Sequence, residues 1–264
     1  MVEKSTSNQS VDKMFSIIET MALRGSPMRL NDIAEKSNVS TSTAMRILNA
    51  LIANGYALQD EETSLYSLSY KFMWIGNSIQ EKLSLNQLLH PYLKEITRRT
   101  GISCALALCN GTTLVYVDEV VARQQMVRVH HYLGKPFPLY NTACGKVFLS
   151  SFTDAEFNMY VREETFKATT PRTLCTPDEL RENIRQIREV GYGYNDEEVI
   201  PGMRCLAFPL FDSEGQIFAG ISLSGTTYQI TNENKVALVD SVNRVLAKMY
   251  EECRHALAKI TLLA

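Results

Sequence analysis

The chain has 264 residues, of which 45% are hydrophobic and 21% charged, a balance typical of folded globular proteins and too apolar for a disordered one. Its longest unbroken apolar run, residues 205–211, is far shorter than the roughly 20 residues that cross a bilayer, and its first ten residues are polar. We therefore expect neither a membrane protein nor a secreted one, but a cytoplasmic protein. The net charge of −2 gives no electrostatic sign of a nucleic-acid partner.

The first part of the chain carries the pattern of three short helices. Apolar residues recur at helical spacing over residues 11–23 and again, after a glycine and a proline, from residue 30 to residue 34. A tight turn follows, in which Asn38 is the residue expected at positive φ. Ser40 can cap a third helix over residues 41–54. Two helices joined by such a turn predict a helix-turn-helix.

Beyond the third helix the apolar residues alternate as they do in strands. The alternation flanks a polar tip at residues 60–64, which predicts a β-hairpin of the kind that forms the wing of a winged helix. Helical spacing returns over residues 70–83 and continues over residues 85–100. We therefore assign residues 8–70 to a winged helix-turn-helix domain and residues 71–84 to a connector helix.

Residues 85–264 predict a second domain of α+β class. Two strand-like segments, residues 102–109 and 114–120, are joined across Asn110 and Gly111, a strong hairpin signal. The other predicted elements are, in chain order, a strand over residues 126–131, a loop over 134–140, helices over 143–152 and 177–190, strands over 205–211 and 217–224, and a final helix over 232–259. Hairpin strands bounded by helices predict an antiparallel sheet covered by helices.

The outward face of the third predicted helix is the candidate DNA-reading surface. Thr41, Ser42, Thr43 and Arg46 lie near its start, which is the end that enters the major groove in this motif, and Arg29 is a further candidate. Arg46 can grip a guanine edge through two hydrogen bonds, and the hydroxyl groups suit phosphate oxygens. The alternative is that the hydroxyl groups only cap the helix and that Arg46 lies in solvent.

The charge of this domain argues against tight DNA binding by a single copy. Residues 1–70 contain six basic and eight acidic side chains, and the predicted wing tip is acidic. Affinity gained by neutralising phosphates needs several cations in each complex. We therefore expect specific binding to require a homodimer or a tetramer made of two dimers.

Ordered sequence blocks along nearly the whole chain resemble those of the IclR family of bacterial transcription regulators. The blocks are the helix-turn-helix (10–48), the wing (55–56 and 66–68), LYNTACGK (139–146), GYGYNDEE (191–198), PGMRCLA (201–207) and ISLSG (221–225). The resemblance implies a winged helix-turn-helix joined by a connector helix to a GAF-like antiparallel-sheet domain that binds an effector. It also implies double-stranded operator DNA as partner and a dimer formed through the DNA-binding halves. Candidates for the dimer seam are Phe72, Met73, Trp74 and Ile75; the alternative is that Trp74 packs within its own chain.

The resemblance also implies a small-molecule effector site in the second domain. It falls on Ala143, Cys144, Asn195, Cys205, Ser222 and Ser224. The residues themselves add that a loop enters a helix near residue 143, where backbone N–H groups favour an anion, and that Ser222 and Ser224 share one face of a strand. We expect a small organic acid or sugar acid, bound as a carboxylate, and repression of a catabolic operon. The family often has aspartate where this chain has Asn195, and a smaller residue at Cys144, so the polar pattern and size of the site differ here.

No metal or cofactor is predicted, because the six cysteines form no Cys-x-x-Cys pair and the four histidines lack metal-finger spacing. Two alternatives to a ligand-responsive regulator stay open. One is a regulator that senses oxidation at Cys144, and the other is an enzyme with Cys144 or Cys205 as nucleophile and His130 or His131 as base. Because the two histidines are adjacent in a predicted strand, we expect at most one of them to face any pocket.

Overall fold

The chain separates into two units, Met1–Leu83 and Ser84–Ala264, in a computed structural model that describes residues 8–80, 84–122 and 129–260. The first unit contains α1 (Gln9–Arg24), α2 (Leu30–Lys36), α3 (Thr41–Ala53), β1 (Ala57–Gln59), β2 (Tyr66–Leu68) and α4 (Lys71–Gln80). In the turn between α2 and α3, Asn38 has a φ of 52°, as predicted. The predicted helix-turn-helix and the two-stranded wing are confirmed.

The core of the first unit fixes which face of α3 is free. Ala44 and Leu48 of α3 are fully buried against Ile17 of α1 and Ile33 of α2. The wing is tied to this core at Tyr66, which exchanges two backbone hydrogen bonds with Met28, the residue two positions before α2. The opposite side of α3 is therefore held outward on a packed support.

The second unit is an antiparallel six-stranded sheet with helices on both faces. Its strands are β3 (Ser103–Asn110), β4 (Thr113–Val120), β5 (Pro136–Pro138), β6 (Gly193–Asp196), β7 (Met203–Phe211) and β8 (Ile217–Thr226), in the order β5-β4-β3-β8-β7-β6. Its helices are α5 (Ser84–Thr100), α6 (Ala143–Leu149), α7 (Asp154–Glu163), α8 (Pro177–Val190) and α9 (Lys235–Ile260). Helices α5 and α9 cover one face of the sheet, and α6 covers the other with α8 packed behind it. The expected α+β class is confirmed.

The edge of this sheet differs from the prediction. Residues 129–131 are irregular rather than a strand, while residues 126–128 of the predicted strand lie outside the described residues. The edge strand is β5 instead, inside the segment predicted as a loop. The two prolines of β5 favour a loop in the sequence pattern, because proline lacks the backbone N–H that a central strand needs. An edge strand can form without that N–H.

Two further differences concern short elements. Asn110 pairs with Thr113, so the two-residue turn between β3 and β4 is Gly111-Thr112 rather than Asn110-Gly111. Gly111 has a φ of 63°, which suits the first position of a type II′ hairpin turn. The sequence pattern also predicts neither α7 nor the four-residue β6.

Within the described ranges, every helix is too short or too polar to cross a membrane.

Candidate functional site

A cluster of hydroxyl groups organises the start of α3. Ser40 Oγ accepts a hydrogen bond from the backbone N–H of Thr43 at 3.3 Å and donates to Thr43 Oγ1 at 2.8 Å. Ser42 Oγ lies 3.1 Å from the same Ser40 oxygen. This arrangement satisfies one of the free N–H groups of the helix start. The capping role is thus realised at Ser40 and Thr43, whereas Thr41 and Ser42 stay exposed.

Arg46 lies on the outward side of α3, one turn beyond this cluster. Its neighbours Ile47 and Leu48 are buried, while Arg46 itself is exposed. Arg29, the residue that precedes α2, is exposed as well. Neither arginine has an ion-pair partner in the part of the chain that the structure describes. Both guanidinium groups are therefore available to an anionic partner such as a DNA backbone.

The tip of the wing is acidic. Asp60 Oδ1 accepts hydrogen bonds from the hydroxyl group of Thr63 at 2.6 Å and from its backbone N–H at 2.8 Å, and these bonds lower the pKa of the carboxyl. Glu61 and Glu62 are exposed beside it. Phosphate groups repel such a tip, so the tip is a poor candidate for contact with a DNA backbone.

A cavity of about 420 Å³ lies on the sheet face that α6 covers. Aromatic and aliphatic side chains such as Tyr116, Phe137 and Met203 form much of its wall. The polar groups and thiol of the wall belong to His130, His131, Thr142, Asn195, Cys205 and Ser224. Of the six residues expected to hold an effector, Ala143, Asn195, Cys205 and Ser224 line this cavity. The size and mixed lining suit a small organic molecule.

The register of the sheet brings these residues together from distant parts of the chain. Asn195 of β6 pairs with Cys205 of β7, which pairs with Ser224 of β8, so the three form one row across the sheet. Asn195 Nδ2 donates to the carbonyl of Asn141 at 2.5 Å, and its Oδ1 accepts from the backbone N–H of Glu198 at 3.0 Å. The amide therefore bridges two loops with both of its ends, which an ionised aspartate could not do because it only accepts.

Cys144 and Ser222 lie behind the cavity wall. Both are fully buried and neither lines the cavity. The thiol of Cys144 points onto the sheet, where a methyl group added to Gly220 would lie 3.3 Å from its sulfur. Burial raises the pKa of the Cys144 thiol, and it raises the pKa of Cys205 to about 11. Because the thiolate is the reactive form, these surroundings disfavour both the redox sensor and the cysteine enzyme.

His131 lines the cavity, although the sequence suggested it only as a possible base of a cysteine enzyme. Its Nδ1 lies 3.0 Å from Glu119 Oε1 and its Nε2 lies 2.9 Å from Ser224 Oγ. Its side chain is 6% exposed, whereas that of His130 is 64% exposed. Both line the cavity, so the expectation that at most one could do so is wrong, because this segment is a loop and not a strand. A histidine pair in a strand-like sequence gives no signal for this arrangement.

The carboxylate of Glu119 is shaped by its contact with His131. Burial by itself would raise the pKa of Glu119, but hydrogen bonds from the side chain and backbone of His131 outweigh it and lower the pKa. The backbone N–H of His131 donates to Oε1 at 2.7 Å. Glu119 is therefore a fixed negative charge next to the cavity at neutral pH.

A buried ion pair anchors α6 next to the cavity. Lys146 Nζ donates to Glu198 Oε1 at 2.5 Å and to the carbonyl of Tyr194 at 2.9 Å, and both charged side chains are buried. Burial lowers the pKa of Lys146 and raises the pKa of Glu198, against the attraction of the pair. Since the ammonium group is engaged in this pair and does not line the cavity, it supplies no direct ligand contact.

Comparisons with known proteins match both units to one family. Residues 10–61 match the family model of the IclR helix-turn-helix domain, and residues 78–249 match that of the C-terminal domain of bacterial transcriptional regulator IclR. The HTH-type transcriptional regulator XynR of Escherichia coli is 28% identical over 222 residues, which cover 84% of this chain and 88% of XynR.

Solved structures share the fold. The crystal structure of IclR from Thermotoga maritima has a TM-score of 0.73 at 29% identity, covering 96% of this chain and all of that one. An IclR homolog from Microbacterium hydrocarbonoxydans, crystallised with 4-hydroxybenzoate, has a TM-score of 0.75 at 15% identity, covering 93% of this chain and 99% of that one. At that identity the second likeness concerns the fold alone.

Proposed function

Since the chain belongs to the IclR family of bacterial transcriptional regulators, we propose that it represses a catabolic operon and that a small organic acid or sugar acid, bound to the protein, controls this repression. The family and the curated relatives are regulators of transcription and not enzymes, and the helix-turn-helix unit is a DNA-binding one. The observation that carries the ligand-controlled part of the proposal is the cavity of the second unit, whose apolar walls hold a few converging polar groups.

The proposed DNA partner is a double-stranded operator read by α3. Support comes from the exposed, unpaired guanidinium of Arg46 above a helix start that carries the exposed hydroxyl groups of Thr41 and Ser42. Thr43 contributes less, because its hydroxyl group is engaged by Ser40. Arg29 would add a phosphate contact. The operator should be pseudo-palindromic, with half-sites about one helical turn apart or a multiple of it, because a two-fold protein dimer presents two such helices.

The proposed effector is a carboxylate. The imidazole of His130 and the hydroxyl group of Ser224 line the cavity and are able to donate hydrogen bonds, and the aromatic wall around Tyr116 and Phe137 supplies apolar contact. A protein of the same fold was crystallised with 4-hydroxybenzoate, an aromatic carboxylate. Cys144 and Ser222 would act only indirectly, by supporting the wall from behind.

Control of DNA binding requires that the effector favours one of two arrangements of the regulator, because a ligand that binds both equally shifts nothing. Repression is the simplest form of such control, since a bound protein blocks a promoter without further contacts. In transcription from a promoter that contains the operator, we expect the protein to lower the yield of transcript and the effector to restore it. A rise in transcript on adding the protein alone would instead assign activation.

Selection of random-sequence duplexes by the full chain tests the DNA part. We expect enrichment of one pseudo-palindrome over competitor DNA. Recovery of no preferred sequence, with or without metabolites, would overturn the proposal.

Thermal unfolding with a panel of small molecules tests the ligand part. The panel contains pyruvate, gluconate and 4-hydroxybenzoate as carboxylates, with glucose and 4-hydroxybenzamide as neutral counterparts. A carboxylate present at a hundred times its Kd should add about 2.7 kcal/mol to the free energy of unfolding. A shift with a neutral compound but with no acid would exclude the carboxylate assignment while leaving ligand control intact.

A further inference from the structure

His131 connects the partly buried carboxylate of Glu119 to a hydroxyl group in the wall of the cavity. One ring nitrogen lies 3.0 Å from Glu119 Oε1, and the other lies 2.9 Å from Ser224 Oγ. The ring also packs on Tyr116, with 4.4 Å between the ring centroids. The imidazole is therefore held in one orientation, so its protonation state decides what Ser224 offers to the cavity.

In the neutral ring the direction of these hydrogen bonds is fixed by their partners. The ionised carboxylate of Glu119 can only accept, so Nδ1 must carry the proton and Nε2 must accept. The hydroxyl proton of Ser224 is then committed to Nε2. Its other neighbours are Ser222 Oγ at 3.2 Å, which can donate to it or accept from it, and Cys205 Sγ at 3.2 Å, which competes with Nε2 to accept the same hydroxyl proton. Toward the cavity Ser224 then presents only lone pairs, which repel a carboxylate.

In the protonated ring both nitrogens donate, and Ser224 is reversed. Nε2 donates to Ser224 Oγ, and the hydroxyl proton of Ser224 can turn from the weak acceptor Cys205 Sγ toward a ligand. The charge of the wall changes as well, because the imidazolium balances the carboxylate of Glu119. Among the described residues, no lysine or arginine lines the cavity, so this balance matters for an anion.

We propose that a carboxylate effector binds in this cavity together with one proton, which His131 holds between Glu119 and Ser224. The inference rests on the proposed function, because it concerns the same effector cavity. The titratable groups around the ring are Glu119 and Tyr116 from β4, Cys205 from β7, and His130 and Tyr132 from its own loop. Burial raises the pKa of the Tyr116 phenol and of the Cys205 thiol, so both stay neutral. His130, whose Nδ1 lies 3.5 Å from Glu119 Oε2, is the second imidazole beside this carboxylate.

Calorimetric titration of the full chain measures this proton directly. The probe is whichever of pyruvate, gluconate and 4-hydroxybenzoate binds with the highest affinity, titrated at several pH values in phosphate and in Tris, which differ in ionisation enthalpy. Where the His131 ring is neutral before the carboxylate binds, we expect uptake that approaches one proton for each carboxylate bound. In that range the association constant should rise up to about tenfold for each unit by which the pH falls. The neutral 4-hydroxybenzamide should show no uptake.

Two variants locate the proton. His131→Gln should abolish the uptake and leave carboxylate binding weaker and independent of pH. His130→Gln is the matched control, because that ring also lines the cavity but is largely exposed, and it should keep the uptake. Thermal unfolding without ligand checks that both variants are folded, and the buffer comparison on the unaltered chain needs no variant at all.

The outcomes separate this inference from the proposed function. Binding of a carboxylate with no difference between the two buffers would overturn the proton linkage and leave the carboxylate assignment standing. Uptake that survives in His131→Gln and disappears in His130→Gln would move the proton to the other ring and overturn the inference. If no carboxylate binds at any pH, the effector assignment fails and this inference fails with it.

Discussion

At the level of single residues, Arg46 is the side chain that we propose reads the operator sequence. It is exposed on the outward face of α3 and has no ion-pair partner within the described ranges. If its guanidinium contacts a base edge, Arg46→Ala should weaken binding to the selected operator by roughly 1–3 kcal/mol and relax preference at one position of each half-site. Fluorescence anisotropy with the operator and with single-base variants measures both effects.

Arg24→Ala is the control, because Arg24 is also an exposed arginine of the first unit and ends α1. This variant should bind the operator nearly as the unaltered chain does. If Arg46→Ala instead lowers only the dependence of affinity on salt and keeps the sequence preference, Arg46 contacts a phosphate and the reading role passes to other residues of α3.

The amide nitrogen of Asn195 gives the site a hydrogen-bond donor that an aspartate at this position would lack. Its amide donates to the carbonyl of Asn141 and accepts from the backbone of Glu198. In Asn195→Asp an ionised carboxylate would face that carbonyl without a proton, and we expect a loss of about 1–3 kcal/mol in the free energy of unfolding. Burial should raise the pKa of the new carboxyl, so the loss should be absent at low pH, where its O–H replaces the amide donor, and should grow as the pH rises above the value for an unfolded aspartate.

Urea denaturation at pH 4 and pH 7 measures this dependence. Asn158→Asp serves as the control, because the Asn158 amide oxygen accepts from exposed Arg181 and a carboxylate would do the same. A loss in Asn195→Asp that is equal at both pH values would contradict the assigned role of the proton.

At the level of elements, the approach of α6 to the sheet shapes the cavity. Gly193 of β6 makes that approach close: a methyl group there would lie 2.7 Å from the carbonyl oxygen of Ala143 and 2.9 Å from Val147 Cγ2. Gly193→Ala should therefore push the start of α6 outward, lower the free energy of unfolding by about 1–3 kcal/mol and weaken ligand binding at Ala143.

Gly220→Ala provides the comparison on the neighbouring part of the sheet. Its methyl group would lie 3.3 Å from Cys144 Sγ, a contact that a small shift of the side chain relieves. We expect a much smaller change in stability, since replacing glycine also lowers the entropy of the unfolded chain. Thermal unfolding of both variants, followed by ligand titration, measures the difference. Equal losses of stability in the two variants would show that the sheet lies no closer to α6 at Gly193 than at Gly220, which would contradict the assigned geometry.

The elements also show what sequence reasoning can reach. Ser40, Asn38 and the alternation around the wing tip predict the helix-turn-helix and hairpin, because capping and turn chemistry are local. The register that aligns Asn195, Cys205 and Ser224 comes from pairing of distant strands, which a local pattern does not encode. Resemblance to the family supplied those residues. The sequence did not predict His131 as a residue of the effector site, because its position depends on a loop that returns beside β4. In that loop Leu133 forms an isolated β-bridge with Tyr116.

At the level of the whole molecule, the low charge of the first unit leads us to expect that an oligomer binds the DNA. The first unit offers few free cations and an acidic wing tip, so one copy neutralises few phosphates. Two copies on one duplex double the contacts and fix the spacing between half-sites. We expect a homodimer as the smallest binding unit, with pairing into a tetramer as the next level.

The exposed apolar side chains of α4 are the proposed seam of this dimer. Met73 is 60% exposed and Trp74 is 69% exposed, and because these two large apolar side chains are neighbours in the sequence, they are candidates for a surface that a partner covers. Met73→Asp should shift sedimentation toward the monomer. Operator affinity at a fixed protein concentration should then fall by more than the tenfold that corresponds to about 1.4 kcal/mol, because each half-site would be bound independently.

Leu23→Asp is a matched control, since Leu23 is 65% exposed on α1 and tests whether any new charge on this unit weakens binding. If both variants stay dimeric and lose affinity alike, charge repulsion explains the loss and α4 is not the seam. If Met73→Asp is monomeric yet binds the operator as tightly as the unaltered chain, a single copy suffices. In that case the low charge of the first unit does not limit its affinity, and the requirement for a dimer is wrong.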